Sequence, residues 1–115
     1  MSVFRTLNIE ANRPSLDEAR RGMIEAIRAA KRDGIRVLKV IHGYGSTGKG
    51  GKLCVGLRKS FGLRKKEGVI RDFIPGEDFS VFDEVTLRLL EAVPEVRGDS
   101  DLGMINEGIT VLWLK

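Results

Sequence analysis

The chain has 115 residues, enough for one domain spanning 1–115 with a modest core, and not for two. Its single cysteine, Cys54, excludes an internal disulfide and a cysteine-based zinc site, and no apolar run reaches membrane-spanning length. The net charge of +4 is unevenly spread: residues 1–71 hold 17 Lys or Arg against 6 Asp or Glu, a balance of +11, whereas residues 72–115 hold 3 against 10, a balance of −7.

The opening VFRTLNI alternates apolar and polar residues, with Val3, Arg5, Leu7 and Ile9 on one parity, and reads as an edge strand. Pro14 breaks the chain, and SLDE supplies Ser15 as a helix cap with Glu18 three places on. Leu16, Ala19, Met23, Ile27 and Ala30 then form an apolar stripe at helical spacing, and Gly34 closes the helix. IRVLKVI is the strongest strand signal, apolar enough for burial on both faces. Strand, helix and strand suggest a βαβ unit with a parallel pair, whose functional loop lies at the carboxyl end of the second strand.

After that loop, KLCVGLRKSF is predicted as a short helix with Leu53, Leu57 and Phe61 on one side. Gly56 allows close packing there, and Cys54 is a buried thiol. FGLRKKEG reads as a basic exit loop, VIRDFI as a strand, and PGEDFS as a turn. VFDEVTLRLLEAV looks helical, with Phe82, Val85, Leu89 and Ala92 or Val93 on its apolar side, until Pro94 stops it. A long polar connection, EVRGDSDLGMINEG, leads to a closing strand, ITVLWLK. The expected fold is α/β: a two-layer sandwich with two main helices on the sheet and a helical insertion before the last strand.

The loop itself reads HGYGSTGKGG, residues 42 to 51. Gly43, Gly45 and Gly48 spell a dinucleotide fingerprint, and Gly43, Gly48 and Lys49 spell most of a phosphate loop. A nucleotide hydrolase needs a Ser or Thr hydroxyl on magnesium after the lysine, and here Gly50 stands in that place. A dinucleotide fold needs more chain than remains beyond the loop. Both motifs share an anion concavity of backbone N–H groups, which a polynucleotide phosphate also fits.

VLKVIHGYGSTGKGGKL, around His42, Gly43 and Gly45 and extended by Thr47, Gly48 and Leu53, resembles the H-G-x-G segment of the Smr (small MutS-related) domain family. ITVLWL, residues 109–114, resembles that family's closing strand, and residues 62–108 follow the pattern only loosely. The resemblance implies a four-stranded mixed sheet with two packed helices, similar to the C-terminal domain of a bacterial translation initiation factor. It also implies nucleic-acid binding, with nicking endonuclease or ribonuclease activity in several members. Where the family carries L-D-L-x-G, this chain reads Leu7-Asn8-Ile9-Glu10-Ala11. An amide at position 8 cannot act as a general base, and Glu10 shares its side-chain parity if the strand continues.

The leading expectation is a DNA- or RNA-binding domain. Gly43, Tyr44, Gly45, Thr47, Gly48, Lys49 and Lys52 would hold phosphate, Tyr44 would stack on an unpaired base, and Arg64, Lys65 and Lys66 would grip neighbouring phosphates. An alternative is a phosphodiester hydrolase in which His42 moves a proton and Glu10 orients it; the opposing reading of His42 is a ring tied to nearby backbone. A third is an adaptor whose acidic helix, with Asp83, Glu84 and Glu91, recruits a protein. Nothing in the sequence names a resident cofactor or a set of metal ligands; a magnesium requirement, the oligomeric state and the choice between DNA and RNA stay open. With no signal peptide or membrane segment in view, the expected location is cytoplasmic.

Overall fold

Ser15 accepts the Glu18 backbone N–H while the Glu18 carboxylate takes the Ser15 N–H, a reciprocal cap that starts α1 (Leu16–Arg32). The helix buries Ala19, Met23, Ile27 and Ala30, the stripe expected from the sequence. It joins β1 (Phe4–Asn8) to β2 (Val37–Ile41). The two strands pair in parallel, Leu7 opposite Val40 and Asn8 opposite Ile41, which completes the βαβ unit. The computed structural model describes residues 2–43 and 51–115. The remaining elements are α2 (Gly51–Lys66), β3 (Ile70–Pro75), α3 (Glu84–Ala92) and β4 (Ile109–Leu114). Short 3-10 turns cover Gly76–Asp78 and Pro94–Gly98.

The four strands form one mixed sheet in the order β1-β2-β4-β3. That order makes β1 an edge strand, as its alternating sequence suggested, and β4 runs antiparallel to both of its neighbours. All six residues of β4 are buried. One face of the sheet presents Leu38, Val40, Ile70, Leu112 and Leu114 to α1 and α2. Gly56 of α2 lies against Leu16 of α1, where an added Cβ would come within 2.5 Å of Leu16 Cδ2; glycine is what lets the helices approach there.

The insertion seals the opposite face. Phe79, Leu89, Leu90, Val93 and Val96 pack on Val37, Ile74, Ile109, Val111 and Trp113. This second core explains why β2 and β4 are apolar on both parities, apart from Lys39 and Thr110: each strand is covered on both sides. Two local expectations change. α2 continues to Lys66, so Arg64, Lys65 and Lys66 occupy its last turn and not an exit loop. Cations there complement the negative end of the helix dipole, and Arg64 pairs with Glu67 at 2.9 Å. Phe82 lies outside α3 and is 95% exposed. Asp83 accepts the Thr86 N–H at 2.9 Å and starts the helix one residue too late to carry Phe82 inward.

The charge asymmetry is partly consumed by folding. Lys39, 6% exposed in the middle of β2, is held by Asp99 at 3.1 Å and by Asp101. Burial works against its charge, but the bonds to Asp101 and Asp99 outweigh that and raise its pKa above the usual lysine value. Arg58 pairs with Glu77 and Lys65 with Asp72. Each of these ties a cation of the basic half to carboxylates of the acidic half.

Candidate functional site

β2 delivers His42 to the carboxyl edge of the sheet, where its ring is 1% exposed. Nδ1 lies 2.8 Å from the Gly43 carbonyl oxygen, which can only accept, so Nδ1 carries the proton. Nε2 is therefore an acceptor, and the Thr110 hydroxyl donates to it at 2.8 Å. The Nε–H of Arg58, on α2, in turn donates to Thr110 Oγ1 at 3.2 Å. The guanidinium forks onto Glu77 at 2.8 and 2.7 Å and also donates to the carbonyls of Glu107 and Ile109. The result is a one-way chain of donors from Arg58 through Thr110 to His42 and on to Gly43.

Burial lowers the His42 pKa below its ordinary value; the Gly43 carbonyl opposes this, and the nearby Arg58 charge adds to the lowering. The ring is neutral at pH 7, with both nitrogens engaged. Burial also raises the Cys54 thiol above its usual value, which leaves it protonated as a packed side chain and not a thiolate nucleophile. Arg58 holds the Glu77 carboxyl below the usual range against the opposing effect of burial.

Gly43 is required twice over. Its φ is +75°, and a Cβ added there would lie 2.5 Å from Glu10 Oε2. The N–H groups of His42 and Gly43 both donate to the Gly108 carbonyl at 3.0 Å, which ties the base of the glycine-rich loop to the segment before β4. Glu10 therefore stands at the lip, against the Gly43 backbone. It does not orient the His42 ring, because Gly43 and Thr110 already occupy both nitrogens. The expected acid–histidine pair is replaced by a threonine–histidine pair. Asn8 is engaged as well: its Oδ1 accepts the N–H groups of Glu10 and Ala11 at 3.1 Å, shaping the turn after β1.

Tyr44, Gly45, Thr47, Gly48 and Lys49 lie outside the described residues. Lys52 is exposed in the first turn of α2, close to the loop. Arg64, Lys65 and Lys66 are at the other end of the same helix, roughly 20 Å away at 1.5 Å per residue. There Arg64 and Lys65 bind Glu67 and Asp72, and Lys66 is exposed. Among the described residues no group of three His, Cys, Asp or Glu is placed to hold a metal ion, and no helix is long and apolar enough to cross a membrane.

Sequence reasoning missed Arg58, Thr110 and Glu77. One signal was present: Thr110 interrupts an otherwise apolar strand, and a buried hydroxyl needs a partner. The partners come from α2 and from the turn after β3, far away in sequence.

No protein-family model matches the sequence, and no curated protein matches it. Among solved structures, the chain is similar to the Smr domain of Thermus thermophilus MutS2, with a TM-score of 0.60 and 16% identity, over 96% of this chain and 98% of that one. The agreement extends from β1 to β4, including the loosely patterned middle of the sequence. This chain has the fold of an Smr domain.

Proposed function

We propose that this domain binds the phosphate backbone of DNA or RNA at the rim formed by Gly43, the glycine-rich loop and the start of α2. The observation that carries the reading is the electrostatics of that helix end. α1 follows the common rule and places Asp17 and Glu18 in its first turn. α2 has no acid in its first turn and carries Lys52 there instead, with Lys49 just before it in sequence. A cation at the positive end of a helix dipole is unfavourable for the isolated domain and favourable once an anion arrives. The sequence supplies glycines at 43, 45, 48, 50 and 51, the residue type that most readily turns backbone N–H groups toward an anion. The Smr-like fold supports the same reading.

Binding without cleavage is the form we favour. His42 is buried and neutral, and both its ring nitrogens are spent within the fold. It braces the loop base and is not free to exchange a proton with a phosphate oxygen. The position that is acidic in the family is an amide here, and its oxygen is committed to a turn. Lys52 and the loop make the primary grip. Lys66, at the far end of α2, meets a more distant phosphate of the same backbone.

The test is retention of labelled single-stranded and duplex DNA and RNA, with and without magnesium, across a salt series. The expected result is salt-sensitive retention with intact oligonucleotides. Lys52→Ala weakens it similarly for all sequences and lowers the salt slope by about one. Cleavage that disappears in a folded His42→Ala variant would replace this reading with the hydrolase. Absence of retention at low salt would remove polynucleotide binding altogether.

A further inference from the structure

The acidic half of the molecule carries an apolar patch that the phosphate-binding reading leaves unexplained. Phe82 is 95% exposed, Ile105 69%, Met104 67% and Val81 48%. They belong to two loops fastened together by the Gly103 N–H, which donates to the Phe79 carbonyl at 2.8 Å. The first loop is a tight turn, in which Asp83 N–H donates to the Ser80 carbonyl and Phe82 N–H to Ser80 Oγ. Phe82 therefore projects from a braced turn.

Folding gives no reason for these residues to be apolar. Phe82 immediately precedes the cap of α3, where an apolar residue commonly folds back on the fourth helical residue, here Leu87. An exposure of 95% for Phe82 and 43% for Leu87 leaves that staple open. Ile105 holds a φ of +54°, an unfavourable backbone for a β-branched side chain, and is exposed in it. Clusters of this kind on a protein surface mark contact sites.

Charge selects the occupant. Asp78, Asp83 and Glu84 flank Phe82 in sequence against one cation, Arg88, 4.0 Å from Glu84. Asp101, whose carbonyl accepts the Met104 N–H, is neutralised by Lys39. A polynucleotide would meet repulsion here, so base stacking on Phe82 is disfavoured. We infer that the surface formed by Val81, Phe82, Met104 and Ile105 docks a basic, amphipathic peptide segment of a protein partner. Apolar side chains of the segment cover Phe82 and Met104, and its lysines or arginines face the exposed Asp78 and Glu84. The site lies on the same sheet edge as His42, since Pro75 and Ile41 pair with Thr110 and Ile109 at the start of β4. The same two chain segments contribute Glu77 and Gly108, which brace the loop base.

The test uses a labelled synthetic amphipathic helix of leucine and lysine, read by fluorescence anisotropy. Its counterpart has glutamate in place of lysine. The leucine–lysine peptide is expected to bind in a salt-sensitive manner, and Phe82→Ser to weaken it about tenfold or more. Met104→Ser weakens it less, and Leu63→Ser, an exposed site on α2, leaves it unchanged. Exposure at Phe82 means that its serine variant keeps the fold, checked by the emission of Trp113. Equal binding by the glutamate peptide, or wild-type affinity in Phe82→Ser, overturns the inference. Concentration-dependent self-association abolished by Phe82→Ser also overturns it, by making a second copy the occupant. None of these outcomes bears on oligonucleotide retention, so this inference and the proposed function fail separately.

Discussion

Thr110→Val isolates the hydroxyl that joins Arg58 to His42. Valine has nearly the shape of threonine and suits a strand better, and Thr110 is fully buried in a central strand. On packing and propensity alone, the substitution would be neutral or stabilising. The hydrogen-bond chain requires the opposite. Removing the hydroxyl leaves His42 Nε2 as a buried acceptor without a donor, a cost of about 1–3 kcal/mol. Arg58 keeps the bonds of its two terminal nitrogens to Glu77, Glu107 and Ile109, but its Nε–H loses its acceptor, which adds to the loss. The added buried methyl returns at most about 1 kcal/mol. The net expectation is a loss of about 1–2 kcal/mol. With a urea m-value near 1.5 kcal/mol per molar, the midpoint falls by about 1 M. Trp113, the single tryptophan and nearly buried on β4, reports the transition by fluorescence. A midpoint equal to or above wild type would refute the claim that this hydroxyl organises the site.

Three other outcomes follow from the same geometry. His42 has a lowered pKa in the fold, so the unfolded chain takes up its proton first; the stability it contributes is whole above its ordinary pKa of 6.5 and is lost as pH falls below it. Urea midpoints should therefore drop between pH 7.5 and 5 by the equivalent of up to about 2 kcal/mol, less so in His42→Gln, and a flat wild-type profile would contradict neutral burial. Gly76→Ala drives a methyl into the Asn106 carbonyl, with the Ile109 carbonyl oxygen 2.9 Å away, and should cost about 3 kcal/mol in urea unfolding; a loss under about 1 kcal/mol would mean that this turn yields easily. Glu10→Gln removes an exposed negative charge from the lip and should tighten oligonucleotide binding roughly two- to fivefold at low salt, an effect that fades as salt rises; weaker binding would show that Glu10 assists the ligand.

Local signals carried much of the fold. Ser15 and Glu18 cap α1 as their spacing implies, because a capping box depends only on residues three apart. The apolar runs around Val40 and Val111 predict central strands, because a residue covered on both faces must be apolar on both parities. The βαβ reading put His42 at the carboxyl end of a parallel β2, and the resemblance implied an Smr-type sheet; the structure has both. What sequence could not supply were contacts between distant segments. The pairing of Lys39 with Asp99 and Asp101 spans about 60 residues, and that of His42 with Thr110 spans 68. No periodicity encodes either. Phe82 shows the reverse limit: its apolar character suggested the core, but one hydrogen bond from Thr86 to Asp83 fixed the helix start and left the ring outside. Most secondary-structure elements followed from patterns within a few residues, whereas the strand order β1-β2-β4-β3 needed pairings between distant segments. The hydrogen-bond partners of His42 and Thr110 were settled only when β4, α2 and the turn after β3 converged on one point.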